Sequence, residues 1–466
     1  MKFRRALTRD TKTKDRPSGI AGFILSAWLT SGLAAADWPR FLGPSGNNTA
    51  PATNLLERFP ETGPPVVWQR EIGAGYSAPS VLGDTLVLHH RLADEEIVEA
   101  LDAQTGKSRW RRGDLSTYED PYGYNNGPRC TPLLTSNRCY TLGASGRLLC
   151  LDLATGVKIW ERQVLSEWKV PRSFFGVSSS PALEDGRLFV MVGGLPASGM
   201  AALDAATGQT LWQNVGEPTW QGTRKTGWPG EPEVQWAEED HQASYSSPVL
   251  ATFHGRRHLL CFMRQGLVSL DPASGTLNFR YWFRSRVAES VNAMTPVAAE
   301  NAILLSSAYY RQGSVLLKVA PDGKSVEPAW RNANLEVHWS TPVLRDGRLF
   351  AFSGRNESDA RFRCVDFLTG NLLWDRDERW RKGANRQPSV YGRGSLLLAD
   401  NKLIVLGEGG LLGLFRPNPV KDEELSRWQA PKLHYPCWTA PILARRKLYL
   451  RSENQLLCLD LARRLP

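Results

Sequence analysis

The strongest constraint on this chain is a unit of roughly 50 residues that recurs along it. The unit reads Ser/Thr-Pro, an apolar strand, Asp-Gly-Arg-Leu, a second strand, Gly, a third strand ending Leu-Asp, a Thr-Gly turn and a Trp. Ser180-Pro181, Asp185-Gly186-Arg187-Leu188, Leu203-Asp204, Thr207-Gly208 and Trp212 show it whole, and Thr341-Pro342 through Trp374 repeat it. Three features count the units. Prolines stand at Pro79, Pro132, Pro181, Pro248, Pro296, Pro342 and Pro441, and Leu396 marks a unit without its Pro midway across the last, doubled gap. Aspartates stand at Asp102, Asp152, Asp204, Asp271, Asp366 and Asp460, with two doubled gaps that imply degenerate units near Val319 and Phe415. The closing aromatics are Trp68, Trp110, Trp160, Trp212, Trp282, Trp330, Trp374 and Trp428. Each count gives eight.

Trp68 ends Val66-Val67-Trp68 and has no first three strands before it. The chain closes on Leu457-Cys458-Leu459-Asp460, three strands without a fourth. The two fragments complete one blade, and a ring closed this way has no open edge. The expectation is all-β: an eight-bladed β-propeller of four-stranded blades, closed by an N-terminal strand that completes the last blade. An open solenoid gives split-blade closure no purpose. A WD40 array lacks its Gly-His and Trp-Asp signatures here. The short Asp carboxylate suits the turn that follows, because it accepts backbone N–H groups while Gly takes the positive φ.

Three regions follow. Residues 1–36 read as an export signal: a basic stretch, an apolar Ile20-to-Ala36 segment diluted by Gly and Ser, and a small-residue Ala34-Ala35-Ala36 cleavage pattern. Residues 37–64 form an N-terminal arm, and 65–466 the propeller. The first Cys is Cys130, so the exported chain is not expected to be a lipoprotein, and no later segment is long and apolar enough to span a membrane. The net charge of +10 invites a nucleic-acid reading, but half of it lies within residues 1–36 and no basic run follows. Nucleic acid is therefore not an expected partner. A monomer in the periplasm or cell envelope is the expectation.

The Leu-Asp-x-x-Thr-Gly-x-x-x-Trp unit resembles the pyrroloquinoline quinone (PQQ) repeat, shared by quinoprotein alcohol dehydrogenases and by the propeller of the outer-membrane assembly lipoprotein. The resemblance covers roughly 65–461. The arm Asp37-Trp38-Pro39-Arg40-Phe41-Leu42-Gly43-Pro44 and the last blade, from Cys437-Trp438-Thr439-Ala440-Pro441, are similar to exported PQQ-repeat proteins of planctomycete-type bacteria. The resemblance implies a propeller, and two roles compete. One is a binding or assembly module for a small molecule or an envelope protein, without catalysis. The other is a PQQ- and calcium-dependent alcohol or sugar dehydrogenase with an external electron acceptor. The sequence has no adjacent Cys pair, no Cys-x-x-Cys-His haem site and no lipidated Cys, so neither role transfers motif by motif.

Cys150, Cys364 and Cys458 share one repeat position, held elsewhere by Ala100, Ala202 and Ser269, so it reads as a small buried slot. Free thiols are the expectation there. Cys139 and Cys150 flank the turn Gly143-Ala144-Ser145-Gly146, where a disulfide is possible and free thiols are favoured. His89 and His90 are adjacent, hence on opposite faces of a strand. No metal spacing and no Gly-x-Ser-x-Gly elbow occurs.

Ligand chemistry is expected at the axial mouth. Long connections lead from each outer strand to the next inner strand, and long loops on one face of a rigid scaffold carry function. The residue three before each Pro opens the inner strand: Tyr76, Arg129, Ser178, Tyr245, Ala293, Trp339, Arg393 and Trp438. Tyr76, Tyr245, Trp339 and Trp438 offer faces for a planar ligand, and Arg129 and Arg393 offer charge for a carboxylate. Packing of the loops is the competing role for the same residues. The insertion 213–244, with Trp220, Trp228, Trp236, Glu231, Glu233, Glu238, Glu239, Asp240 and His241, reads as a lid, a Ca²⁺ site, a partner surface or a solvated loop fixed by Trp packing.

Overall fold

A computed structural model describes residues 36–171, 173–193, 199–214, 244–285, 290–380 and 389–463. The stretch read as an export signal and nearly all of the 213–244 insertion lie outside the described residues. Strands A to D run from the axis outward in every blade. Blade 1 is Ser80–Leu82, Thr85–Leu92, Glu95–Asp102 and Ser108–Leu115. Seven further sheets follow with the same antiparallel meander. In blade 8, Val66–Glu71 supplies strand D beside Gln455–Asp460, with Trp68 opposite Cys458 and Arg70 opposite Leu456. N- and C-terminal segments therefore share one sheet, as the split repeat predicts. The degenerate units also form full blades, with third strands Gly313–Val319 and Leu411–Arg416.

The recurring residues show why the repeat needs them. Asp102 Oδ1 accepts the N–H groups of Gln104 and Thr105 and the Thr105 hydroxyl, at 2.9–3.1 Å. Asp152, Asp204, Asp271 and Asp366 do the same in their own turns. The turn glycine then receives the Trp of the preceding blade. A Cβ on Gly208, at φ 75°, would stand 2.7 Å from the Trp160 ring. The Trp160 indole N–H donates to the Ala205 carbonyl in that same turn at 3.1 Å. Trp68, Trp110, Trp212 and Trp330 dock equally on the turns at Gly106, Gly156, Gly275 and Gly370. At these five junctions one side chain thus ties a blade to the next by apolar burial plus a satisfied indole N–H.

The small slot in strand C has a geometric cause. Cys150 lies between Tyr140 on strand B and Trp160 on strand D. Their rings meet over it with centroids 6.0 Å apart. Cys458 sits likewise between Tyr449 and Trp68, and Cys364 between Phe350 and Trp374. Seven free, buried cysteines result. The register separates Cys139 from Cys150: Cys139 opposes Leu151, while Cys150 opposes Tyr140. Cys139 packs toward blade 1 and Cys150 toward blade 3. The possibility that they face one another is thereby corrected, because a one-residue offset in a strand reverses the side.

The arm crosses the axis. Trp38 bridges Val81 of blade 1 with two backbone hydrogen bonds of 2.8–2.9 Å. Asp37 accepts the Gly83 N–H and pairs with Arg445. Thr49–Ala50 then runs parallel to Leu398 and Ala399 in blade 7, and Leu55 bridges Ala462 beyond blade 8. All these contacts lie toward the A–B turns, the end of strand A away from the long loops. Leu42 holds φ 61°, a conformation costly for a branched side chain. Burial of its side chain, 5% exposed, offsets that cost.

Candidate functional site

The axial cavity measures about 250 Å³ and lies inside the ring of strand-A openings. All eight residues three before the repeat proline, or its Leu396 equivalent, line it: Tyr76, Arg129, Ser178, Tyr245, Ala293, Trp339, Arg393 and Trp438. The sheets bring them together because each inner strand starts at the same height around one axis. Trp438 is the centre of the collar. Its ring lies 5.2 Å from Tyr76, 5.7 Å from Trp339 and 5.6 Å from Tyr124. Tyr124 continues to Phe175, and Phe175 to Tyr245, in edge-on contacts of 5.9 and 5.5 Å. The tilted and edge-on angles are those aromatic quadrupoles favour.

The two arginines are not open charges. Arg129 is salt-bridged to Asp120, itself without side-chain exposure, and donates to the Gly127 and Asn125 carbonyls. Arg393 pairs with Glu408 at 2.9 Å and with Glu357 at 2.6 Å, and donates to the Arg355 carbonyl. Glu408 is fully buried. It also accepts the Arg393 backbone N–H at 2.8 Å and the Trp438 indole N–H at 3.0 Å. Burial alone would lower the Arg393 pKa, but Glu408 and Glu357 more than offset it and keep the guanidinium charged. Each guanidinium then covers aromatic faces: Arg393 stands 4.7 Å from the Trp339 centroid, and Arg129 stands 5.6 Å from Tyr76. The two cations that the sequence offers to a ligand carboxylate already hold carboxylates of the protein, and each guanidinium also lies against a ring of the collar.

Other polar groups at the mouth are similarly consumed. The Tyr76 hydroxyl donates to Glu453 at 3.0 Å, and burial with that neighbouring anion raises its pKa. Tyr245 accepts the Phe175 N–H, and burial holds its phenol at about 12. His338, tilted against Trp339 with centroids 4.8 Å apart, is held neutral: burial first, then Arg393 and Arg355, lowers it to about 3.

Sequence reasoning missed the floor. Phe41, Leu42 and Asn48 of the arm line the cavity, with Thr131, Ser180, Ser247, Thr341 and Ser395 around them. The Ser/Thr positions carried a signal, since they immediately precede the repeat proline or its equivalent and face the channel in register. The carboxylates Glu357, Glu408 and Glu453 carried none, because they lie in B–C turns where the repeat has no fixed residue. His89 and His90 do diverge, toward Glu96 and Glu99 respectively, each at 3.5 Å. Among the described residues, no group of three or more His, Cys, Asp or Glu is placed to hold a metal, and no helix is long and apolar enough to cross a membrane.

Known proteins share this architecture. The family model for the outer membrane protein assembly factor BamB matches residues 93–320. BamB from Moraxella catarrhalis superposes with a TM-score of 0.57 at 14% identity, covering 86% of this chain and 99% of that one. Quinohemoprotein alcohol dehydrogenase from Comamonas testosteroni gives 0.61 at 12% identity, covering 93% and 82%. The computationally designed Ika8 protein gives 0.55 at 11% identity, covering 85% and 100%. No curated protein sequence matches the chain. A likeness that extends from an assembly factor to a dehydrogenase and a designed ring is a likeness of fold. On repeat and fold together, this chain is an eight-bladed β-propeller of four-stranded blades, with residues 93–320 matching the BamB family model.

Proposed function

We propose that the protein is an exported, envelope-located binding module that takes a small ligand at the axial mouth and does no chemistry on it. The observation that supports this most is the collar itself. Aromatic faces converge on one concave cavity while the acids and bases around them are paired off or buried neutral. Such a site has stacking surface and no poised proton donor or nucleophile. An assembly role rests on the rim, where Tyr122 and Tyr124 are 57% and 51% exposed and offer an envelope protein two aromatic anchors.

The dehydrogenase reading asks the same cavity to hold PQQ and calcium. PQQ is a planar tricarboxylate. Trp438, Trp339 and Tyr76 fit its ring faces, but Arg129 and Arg393 are already neutralised, and the buried Glu408 stands against Trp438. Among the described residues, no group of three or more His, Cys, Asp or Glu stands ready for calcium. The residues therefore do not fit the cofactor. Calorimetric titration of the purified protein with PQQ and Ca²⁺, beside a dye-linked alcohol and sugar oxidation assay, tests the reading. No stoichiometric binding and no turnover are expected. Dye reduction dependent on PQQ would replace the binding module by the dehydrogenase.

A further inference from the structure

The arm determines what the mouth can hold. Three cavity-lining side chains are more than nine-tenths buried and lack a hydrogen-bond partner at one atom among the described residues: Asn48 Oδ1, Thr341 Oγ1 and Ser395 Oγ. Asn48 comes from the arm, fixed by its own backbone. Its N–H donates to Leu42 O and its C=O accepts from Leu398 N, at 2.9 and 2.8 Å. Its Nδ2 reaches the Thr341 carbonyl at 3.4 Å, so the amide, Thr341 and Ser395 form one side of the floor below blades 6 and 7. Buried polar atoms without partners are costly, and in native proteins they are usually matched by water or ligand.

The geometry points to a ligand that is an uncharged ring bearing hydroxyl or amide groups, with one face on the Trp438–Trp339–Tyr76 collar and its polar edge on Asn48, Thr341 and Ser395. This rests on the mouth being the binding site. Charge selects the class. Hydroxyl and amide groups of the floor satisfy neutral donors and acceptors. A carboxylate there meets no spare guanidinium from Arg129 or Arg393, and Glu408 and Glu453 already place anions beside the collar. The size agrees: about 250 Å³ lies at the small end of ligand pockets, room for one ring rather than an extended peptide. Asn48 is then a specificity-determining residue carried by a segment outside the blades.

The test uses matched neutral and acidic sugars as probes: methyl glucoside, a glucose oligosaccharide, methyl glucuronide and PQQ, titrated into the full chain and read by tryptophan fluorescence and calorimetry. Methyl glucoside, the oligosaccharide or both are expected to bind, with methyl glucuronide at least tenfold weaker than its neutral counterpart. Binding only of the oligosaccharide assigns a glycan end, and binding of the monosaccharide assigns a free sugar. Asn48→Ala is expected to weaken the neutral probe about tenfold, with the melting temperature lowered by no more than the left-handed backbone at φ 57° accounts for. Trp438→Ala is expected to abolish its binding. If the glucuronide or PQQ binds more tightly than the neutral probe and Trp438→Ala removes it, the uncharged class is overturned while the mouth stands. If a probe binds but Trp438→Ala leaves it unchanged, the mouth itself is wrong. No binding by any probe overturns the proposed class.

Discussion

The two ends of the propeller use the same strands in opposite ways. At the turn end, blade after blade repeats one arrangement: Asp accepts its own turn, Gly clears space, and the neighbouring Trp fills it. At the mouth end, the equivalent position is Tyr, Arg, Ser, Tyr, Ala, Trp, Arg and Trp in succession. The repeated end solves one packing problem in the same way at five of its junctions. The varied end has no reason to vary unless what it contacts lacks the symmetry of the ring. A designed propeller can share the first property in full, so only the second bears on function.

The largest test of the repeated end is its closure. Deleting 65–72 removes strand D of blade 8 and uncovers Gln455–Asp460 as an edge. Loss of cooperative unfolding and aggregation are the expected outcome. A deletion variant that melts like the parent would remove the basis of the eight-fold ring. Next comes the varied end. Glu408→Gln leaves a buried Arg393 with Glu357 alone and loosens the Trp438 indole, at an expected cost of about 3 kcal/mol in urea unfolding. A cost below about 1 kcal/mol would show that the collar is not set by this carboxylate.

Glycines permit a finer comparison within one blade. Gly208 and Gly186 both have positive φ, 75° and 73°. A Cβ on Gly208 strikes the Trp160 ring at 2.7 Å, whereas one on Gly186 meets nothing within 4 Å. Gly186→Ala should cost about 1 kcal/mol, the backbone conformation alone. Gly208→Ala should cost about 2–3 kcal/mol, since the indole must also move. Equal losses measured by thermal unfolding would mean that the Trp does not depend on the turn for its seat.

What could be read from the sequence follows the same division. Trp68 without preceding strands, the spacing of the prolines and the Asp–Thr–Gly turns give the blade number and closure, because each is forced by a contact made many times. The ring from Tyr76 to Trp438 was legible as a set of positions, since alignment of the repeats puts them at one height. Their electrostatic state was not, because Asp120, Glu357 and Glu408 come from loops and B–C turns that the repeat does not align. Asn48 was hidden for a different reason. It belongs to an arm with no repeat, and only the crossing from Val81 to Leu398 shows that it lies in the channel. Cys139 and Cys150 failed on register, which a hairpin's length alone does not fix.

The smallest expected effect separates the ends by the sign of their pH dependence. Asp102, in its hydrogen-bonded turn, is lowered to about 2 by Arg109 and Thr105. Between about pH 4 and 2 the unfolded chain therefore binds the proton first, so this group stabilises the fold above that window and the contribution is lost as pH falls through it. Glu378, next to the loop after blade 6, has the opposite environment. It has no side-chain exposure, and burial raises it to about 7 despite the Tyr391 N–H and Arg376. Here the folded state holds the proton that the unfolded chain has released. The contribution of Glu378 is present at acid pH and declines as pH rises from about 4.5 to 7. Melting temperature measured against pH should show both. Asp102→Asn should flatten the curve below pH 4 and leave the neutral side alone. Glu378→Gln should leave the acid side alone and gain on the parent as pH rises toward 7. If both variants bend the same limb, the contrast between a solvated turn end and a desolvated mouth end does not hold for these charges, and the mouth's carboxylates must be reached by water.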